Sequence, residues 1–337
     1  MRILVAPDSY KESLTASDVA LFIAEGIRRV LPTAEVISIP LSDGGEGLID
    51  TLVAGTAGSV ITKEVTGPLG EKVTARLGVL GDERTAVVEM AEASGLALVP
   101  NERRNPMATT TYGTGELIQK ALELGYRRLI IGIGGSATND GGAGMAQALG
   151  VKLLDNEGKP IAWGAEGLLK LDSIDISTAD ARLRESEILV AGDVTNPLCG
   201  PKGASYVYGP QKGGTPEMLP IMDQALGNLA RVIKRDLGLE VAELRGAGAA
   251  GGLGAGLVAF AGGRLCRGLD IVFEMLDFEP RLASGVDLVI TGEGQINDQS
   301  LFGKVPVGVA RLAKKYGIPV IAIVGSIALG ADKTEAA

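Results

Sequence analysis

The sequence predicts an α/β fold built on a doubly wound parallel sheet, from two observations near the N-terminus. Residues 2–6 and 35–40 are aliphatic runs with the composition of buried parallel strands. Between them, apolar residues recur at helical spacing from Ser17, the expected N-cap, to Val30. Each run ends in a polar segment, the second of them rich in glycine, so we expect a ligand site at the carboxyl edge of the sheet.

The pattern changes near residue 60, which marks a second structural region. Three β-rich runs, at 60–65, 73–80 and 85–90, are separated by Gly-Pro-Leu-Gly and Gly-Asp-Glu turns. They predict an antiparallel meander that belongs to an inserted domain or a lid. Further strands are expected at 128–133, 188–191, 286–290 and 319–324, and a polar loop at Thr291–Lys304 should follow the third of these.

Composition excludes several classes of function. A net charge of −9 and a pI near 4.9 argue against binding to nucleic acids or acidic membranes. The chain has no histidine, so Ser-His-Asp triads and most catalytic zinc sites are excluded. The two cysteines form no disulfide framework, and the first residues lack the apolar core of a signal peptide. We therefore expect a cytoplasmic protein.

Five acidic residues each follow a strand-like run and lie beside Gly, Ser, Thr or Asn: Asp8, Asp43, Asp140, Asp193 and Glu293. One such loop is typical of ordinary turn and cap chemistry. Five at the ends of presumed parallel strands are expected to converge on one crevice, where carboxylates and amides suit Mg²⁺. Lys11 and Lys304 could neutralise an anion there. Together these groups indicate phosphoryl transfer.

The glycine-rich loops leave an alternative open. No Walker A motif occurs, but glycine loops that open helices can bind phosphate through backbone N–H groups. Gly132-x-Gly134-x-x-Ala137 follows a strand and precedes Asp155 by about twenty residues, which is the pattern of a dinucleotide site. An NAD-dependent hydroxy-acid oxidoreductase is therefore the rival class. The similar pattern at 246–251 lacks the preceding strand that a dinucleotide-binding motif requires.

Seven segments, in order across nearly the whole chain, match motifs of one family. They read APDSYKESLTA (6–16), PLSDGGEG (40–47), TYGTG (111–115), GIGGSATNDGGAG (132–144), DVTNPLCGPKGA (193–204), GAGAAGGLG (246–254), and GEG (292–294) with GKVP (303–306). On these motifs the chain resembles the bacterial glycerate kinase family, which is unrelated to P-loop kinases.

The resemblance implies ATP-dependent phosphorylation of D-glycerate, usually at the 2-hydroxyl, with Mg²⁺. It also implies a Rossmann-like domain with a second α/β domain inserted and the site in the cleft between them. With the change near residue 60, this places the first domain at 1–64 and 285–337 and the inserted domain at 65–284. The expected partners are small molecules only, and a homodimer stays open.

One departure from the family bears on catalysis. The family pattern has aspartate where this chain has Asn297, and an amide cannot accept a proton from a hydroxyl. The aspartate that the family has at this position could be the general base, and in this chain Asp298 could have taken over that role. A non-catalytic hydroxy-acid or nucleotide sensor is thus a further alternative. Family members also usually continue beyond residue 337.

The resemblance and the loops together give a set of candidate site residues. We predict catalytic roles for position 297, Lys11, Asp193 and Glu293, the last two also as metal ligands. The predicted substrate- or phosphate-binding residues are Asp8, Ser9, Asp43, Gly44, Gly45, Gly134, Gly135, Ser136, Thr138, Asn139, Asp140, Asn196, Gln299, Ser300 and Lys304.

Overall fold

A computed structural model describes residues 1–10, 13–297, 300 and 304–328. The chain divides into two compact units: unit 1 comprises residues 1–58 and 267–337, and unit 2 comprises residues 59–266. The domain boundaries expected from the sequence, 1–64 with 285–337 and 65–284, stay a prediction. None of the helices in the described part of the chain is long and apolar enough to cross a membrane.

The described strands and helices alternate along most of the chain. The strands are β1 (Arg2–Pro7), β2 (Glu35–Ser38), β3 (Ser59–Thr66), β4 (Lys72–Val79), β5 (Thr85–Glu89), β6 (Arg128–Gly132), β7 (Lys152–Leu154), β8 (Ser173–Asp175), β9 (Glu187–Ala191), β10 (Arg264–Cys266), β11 (Leu288–Ile296) and β12 (Val320–Ile327). The α-helices are α1 (Ala16–Val30), α2 (Leu48–Gly55), α3 (Ala91–Ser94), α4 (Tyr112–Glu123), α5 (Ala143–Ala148), α6 (Gly164–Leu168), α7 (Ala204–Tyr208), α8 (Met218–Leu237), α9 (Leu253–Ala261), α10 (Gly268–Met275), α11 (Phe278–Ala283) and α12 (Val305–Lys315).

Unit 1 contains a four-stranded parallel sheet in the order β12-β11-β1-β2. The chain moves outward from β1 to β2 on one side and from β11 to β12 on the other, so the strand order reverses between β1 and β11. In open α/β sheets, ligands bind outside the carboxyl ends of the strands at such a switch point. The topology of unit 1 therefore confirms the predicted doubly wound sheet and identifies its expected binding edge.

Helix α1 shows how local sequence sets the packing of unit 1. Its cap is Thr15 rather than the predicted Ser17, because the Thr15 hydroxyl accepts a hydrogen bond from the backbone N–H of Asp18 at 3.1 Å. The buried face of the helix includes Ala20, which packs with Ile3 and Val5 of β1. Small residues on this face allow the helix to approach the sheet closely.

Strand β11 corrects the expected boundary of the loop at Thr291–Lys304. The strand does not end near Ile290 but continues to Ile296, since its later residues pair with β12 as far as Ile296 and Ile327. Glycines at 292 and 294 lower the strand signal in the sequence, yet the pairing requires one of them. A Cβ on Gly292 would lie 2.2 Å from the carbonyl oxygen of Ile323.

Unit 2 contains a six-stranded mixed sheet in the order β10-β9-β6-β5-β4-β3. Strands β3, β4 and β5 form the predicted antiparallel meander. Strand β5 also pairs in parallel with β6, and β6 continues through β9 to β10. The meander is therefore the flank of a larger sheet rather than a free-standing lid.

The main hydrophobic core lies in unit 2, around the strands of this sheet and the helices that cover it. Helix α8 contributes Met222, Ala225, Leu226 and Leu229, which recur at helical spacing and are fully buried. Strands β6 and β9 contribute Leu129, Ile131 and other aliphatic residues to the same cluster. This packing fixes the carboxyl ends of β6 and β9, from which the candidate loops of unit 2 emerge.

Candidate active site

The five acidic residues lie at or near the strand ends of two sheets, one in each unit, and their convergence on one crevice stays a prediction. Asp8, Asp43 and Glu293 belong to unit 1, and Asp140 and Asp193 belong to unit 2. Four of them follow strands as predicted, but Glu293 lies inside β11. Each unit therefore has its own cluster of candidate residues at the carboxyl edge of its parallel strands.

The first cluster lies at the switch point of unit 1. Pro7 at the end of β1 pairs with Gly292 of β11, and the N–H of Asp8 donates to the Gly292 carbonyl at 2.8 Å. Asp8 and Glu293 are consequently neighbours across the two strands. The carboxylate of Asp8 accepts the backbone N–H of Ser9 at 2.6 Å, so the loop after β1 turns sharply at this edge.

Glu293 is the centre of the first cluster. Its side chain is 6% exposed and pairs with the Lys304 ammonium at 3.3 Å. The Ser300 hydroxyl donates to the other carboxylate oxygen at 2.8 Å. Burial raises the pKa of Tyr10, and the negative charge of Glu293 raises it further. Lys304, whose side chain is 31% exposed, precedes α12 as its N-cap residue. Glu293 thus holds a hydroxyl and an ammonium at the edge of the sheet.

Position 297 is linked to Glu293 through Ser300. The backbone N–H of Asn297 donates to the Ser300 hydroxyl at 3.2 Å, and the N–H of Ser300 donates to the Asn297 carbonyl at 3.0 Å. The side-chain amide of Asn297 is half-buried and donates to Gln295 at a long 3.4 Å. The predicted residues Lys11 and Gln299 lie outside the described residues, as does Asp298.

The loop after β2 is shaped by an aspartate turn. The Asp43 carboxylate accepts the backbone N–H of Gly45 at 3.1 Å, and Gly44 has a φ of +93°. Helix α10 begins against this turn, since a Cβ on Gly268 would lie 2.1 Å from the Asp43 carbonyl oxygen. Asp43 therefore has a structural task whether or not it also contacts a ligand.

The second cluster begins with the loop after β6 in unit 2. Asp140 is fully buried, and its carboxylate accepts four hydrogen bonds: from the N–H and hydroxyl of Thr111, both at 2.8 Å, and from the N–H groups of Gly142 at 3.1 Å and Gly144 at 3.2 Å. Burial raises the pKa of Asp140, against the effect of these donors. With no exposed surface, Asp140 is better suited to shape the loop than to touch a substrate.

The rest of this loop is also mostly buried. Ser136, Thr138 and Asn139 have little or no exposed surface, whereas Gly134 is half-buried and Gly135 is exposed with a φ of +72°. The backbone at the two glycines is thus the accessible part of the predicted binding loop. Such backbone can approach an anion closely, because no Cβ stands in the way.

The loop after β9 contributes Asp193 and Asn196, which are both half-buried. The Asn196 side chain accepts the Tyr208 hydroxyl at 2.7 Å and donates to the Lys202 carbonyl at 2.8 Å. Both ends of this amide are therefore committed to protein groups. Asp193 immediately follows the strand-end residues Ala191 and Gly192, and a carboxylate is a ligand type that Mg²⁺ accepts.

The sequence reasoning missed Lys212, a buried lysine beside the loop after β6. Its side chain is 1% exposed, and the ammonium donates to the Ser136 hydroxyl and to the Thr138 carbonyl, each at 2.7 Å. Burial lowers the pKa of Lys212 to about 7, and the charge of Asp140 opposes that shift. The only signal in the sequence was a lysine enclosed by glycines and a proline, Gly209-Pro-Gln-Lys-Gly-Gly.

The described residues contain no group of three or more His, Cys, Asp or Glu side chains arranged to hold a metal ion. Mg²⁺ does not require such a group, because it is commonly bound by one or two carboxylates together with substrate phosphates and water. Asp193 fits this donor requirement. Glu293 fits it less directly, since Lys304 and Ser300 already occupy its oxygens.

A groove of about 550 Å³ in unit 1 lies away from these loops. It lies between α10, α11 and α12 and is lined by charged residues that include Arg267, Asp270 and Arg311. None of the predicted site residues lines it. The candidate site is thus defined by the strand ends and their loops, not by this groove.

Comparison with known proteins identifies the family. The model of the glycerate kinase family matches residues 3–337. A glycerate kinase of Bacillus subtilis (strain 168) is 55% identical over 97% of this chain and 85% of its own length. A glycerate 2-kinase of Escherichia coli (strain K12) is 54% identical, with 97% and 86% of the two chains covered.

A solved crystal structure of a Salmonella typhimurium LT2 protein has a TM-score of 0.90 to this chain, with 54% identity over 98% of this chain and 90% of the other. The fold and the sequence therefore point to the same group of proteins. These matches confirm the resemblance read from the seven motifs and give no support to the dinucleotide-dependent oxidoreductase. The chain belongs to the glycerate kinase family, whose members are kinases.

Proposed function

We propose that this chain transfers the γ-phosphoryl group of ATP to a hydroxyl group of D-glycerate, with the 2-hydroxyl as the main acceptor. The observation that carries the proposal is the family match over residues 3–337, together with a 54% identical relative named glycerate 2-kinase. The acidic and cationic groups at the switch point of unit 1 supply a site of the required chemistry. The expected cytoplasmic location is part of the same proposal.

Anion binding is assigned to the glycine loops and the lysines. The exposed backbone at Gly134 and Gly135 suits a phosphate or a carboxylate. Lys304 is held at the sheet edge by Glu293, with part of its side chain in solvent. Lys304 and Lys11 together would supply positive charge for the ATP phosphates and the glycerate carboxylate in a protein whose net charge is −9.

A magnesium ion would be held by Asp193, together with the phosphates of ATP. When bound, the ion neutralises charge on the phosphates during transfer. Glu293 would join as a ligand only if the Lys304 ammonium turned toward the substrate, because the two groups are paired at 3.3 Å. Ser9, in the loop at the switch point, would orient the acceptor, whereas the buried Ser300 acts through its hydrogen bond to Glu293.

The acceptor hydroxyl has to lose its proton, and the residue at position 297 is assigned to that step. An aspartate there would accept the proton, whereas the amide of Asn297 cannot. Phosphoryl transfer depends mostly on positioning and charge neutralisation, so the chain retains part of its activity in this proposal. Exclusion of water from the bound substrates would limit ATP hydrolysis.

A second candidate is a sensor that binds hydroxy acid or nucleotide without turnover, and Asn297 is the observation that favours it. The two are separated by ADP release measured with and without D-glycerate, and by ³¹P NMR of the product. The kinase proposal expects ADP and 2-phosphoglycerate in equal amounts. Binding of glycerate without ADP, in this chain and in Asn297→Asp, would establish the sensor instead.

A further inference from the structure

Lys212 is a buried lysine whose ammonium, among the described residues, has no hydrogen bond to a carboxylate. Lys212 is among the largest fully buried side chains. Among the described residues its hydrogen-bond partners are one hydroxyl and one carbonyl oxygen, both neutral. Burial of a charge costs several kcal/mol of stability in proteins, and the charge of Asp140 offsets only part of that cost here, since the pKa of Lys212 is still lowered to about 7.

The ammonium of Lys212 joins two segments that are far apart in sequence. In the loop after β6, it donates one hydrogen bond to the Ser136 side chain and one to the Thr138 backbone, at the two ends of a three-residue stretch. The residue between them, Ala137, is held from the other side, because its N–H donates to the Ser94 carbonyl at 2.9 Å and its carbonyl accepts the Thr109 hydroxyl at 2.9 Å. The stretch 136–138 is thus fixed on both sides.

The segment that carries Lys212 contacts the candidate site at two further points. Ser205, at the start of this segment, accepts a hydrogen bond from the Asn139 side chain at 3.0 Å. Tyr208 donates to Asn196 in the loop after β9 at 2.7 Å. Residues 204–212, which comprise α7 and the 3₁₀ turn Pro210–Lys212, therefore connect the loops after β6 and β9.

The position of the Lys212 turn is itself fixed. Gly213 has a φ of +90°, and a Cβ there would lie 2.6 Å from the carbonyl oxygen of Arg104. Gly209 is packed similarly, with the Ser205 carbonyl oxygen 2.3 Å from where its Cβ would be. The backbone on both sides of Lys212 is therefore closely packed, and this packing fixes the point from which the lysine side chain extends to Ser136 and Thr138.

We infer that Lys212 is a positioning residue, which acts through Ser136 and Thr138 to hold the Gly134–Gly135 backbone in the geometry that binds an anionic group of the substrates. Lys212 itself has no exposed surface with which to touch them. The inference rests on the proposed function, because it takes this loop to be part of the kinase site. Lys212 lies outside the seven segments that carry the family resemblance.

If Lys212 positions the loop, its replacement lowers activity without lowering stability, whereas the loss of a merely structural residue lowers both. Lys212→Met keeps a long side chain but removes the buried charge and both hydrogen bonds. Removing the buried charge relieves its desolvation cost, which offsets the two hydrogen bonds that Ser136 and Thr138 lose, whereas a displacement of the loop by about 1 Å can cost 100-fold in rate. We expect kcat/KM to fall about 10- to 100-fold with a melting temperature equal to or above that of the parent chain.

The experiment compares the parent chain, Lys212→Met and the exposed control Lys170→Met, with Lys212→Gln as a second variant that keeps an N–H donor. Turnover with ATP and D-glycerate is measured beside thermal unfolding and equilibrium binding of glycerate and of a non-hydrolysable ATP analogue. The inference predicts weaker binding or slower turnover for Lys212→Met, partial recovery in Lys212→Gln, and no change in Lys170→Met.

Two results would overturn it. One is a Lys212→Met protein that binds both ligands and turns over within about threefold of the parent chain. The other is a loss of activity that parallels a lowered melting temperature, which would make Lys212 a structural residue only. A parent chain that shows no turnover contradicts the proposed function, and the binding measurements then still decide the role of Lys212.

Discussion

Replacing Asn297 by aspartate should increase turnover. The substitution provides a carboxylate at the position where the family pattern has one, on a turn that Ser300 connects to Glu293. A positioned general base contributes about 10²–10⁴-fold in rate, which corresponds to about 3–5 kcal/mol of activation free energy. The substitution removes the 3.4 Å hydrogen bond from the Asn297 amide to Gln295, a contact worth under about 1 kcal/mol.

The assay is D-glycerate-dependent ADP release, coupled to NADH oxidation, at saturating ATP. Gln295→Glu is the matched control, since it adds the same charge two residues away on an exposed side chain. We expect kcat to rise at least 100-fold in Asn297→Asp and to stay within about threefold in Gln295→Glu. Equal rates for Asn297→Asp and the parent chain, with both folded, would refute the assignment of the base to position 297.

The remaining predictions concern unit 2. Asp140→Asn should destabilise the fold by about 2–4 kcal/mol, because an amide puts an N–H group in place of one of the two carboxylate oxygens that together accept four hydrogen bonds; urea unfolding measures this. Burial lowers the pKa of Lys212 to about 7 from the usual 10.5, so between these pH values the lysine is neutral in the folded chain and protonated in the unfolded chain. The free energy of unfolding of the parent chain, relative to that of Lys212→Met, should therefore rise by up to about 1.4 kcal/mol per pH unit over this range. Gly251→Ala should cost about 2–4 kcal/mol, since φ is +68° and a Cβ would lie 2.0 Å from the Thr138 carbonyl oxygen. Gly227→Ala on α8, with nothing within 4 Å of the added Cβ, should instead stabilise by about 0.5–1 kcal/mol.

The predictions for Asp140, for Lys212 and for the pair of glycine substitutions can each fail independently. Unchanged unfolding of Asp140→Asn would mean that the four donors find other partners. A stability difference for Lys212 that is flat between pH 7 and 9 would place its folded pKa near the unfolded value. Similar effects of the two glycine substitutions would show that local geometry does not control stability at Gly251.

Much of the fold could be predicted because the strands carry their own signal. Residues 2–6 and 128–133 are mostly aliphatic, and the structure places them in interior strands of the two sheets. The end of β11 could not be predicted, because Gly292, Glu293 and Gly294 are poor strand formers whose pairing with β12 depends on a partner elsewhere in the chain. Tertiary pairing there outweighs local preference.

The candidate site was predicted in composition but not in geometry. Motif and loop composition identified Asp8, Glu293 and the glycine loop after β6, but spacing alone could not show which acids share a sheet edge. The burial of Asp140 and the ion pair between Lys304 and Glu293 depend on packing between distant segments. Lys212 was missed for the same reason, since its partners are more than seventy residues away in sequence.

The most direct test of the account is ADP formation by the parent chain with ATP, Mg²⁺ and D-glycerate, compared with the same mixture containing L-glycerate or no acceptor. The account predicts ADP release that requires D-glycerate and yields one phosphoglycerate for each ADP. It is contradicted if D-glycerate adds nothing to the background rate in both the parent chain and Asn297→Asp.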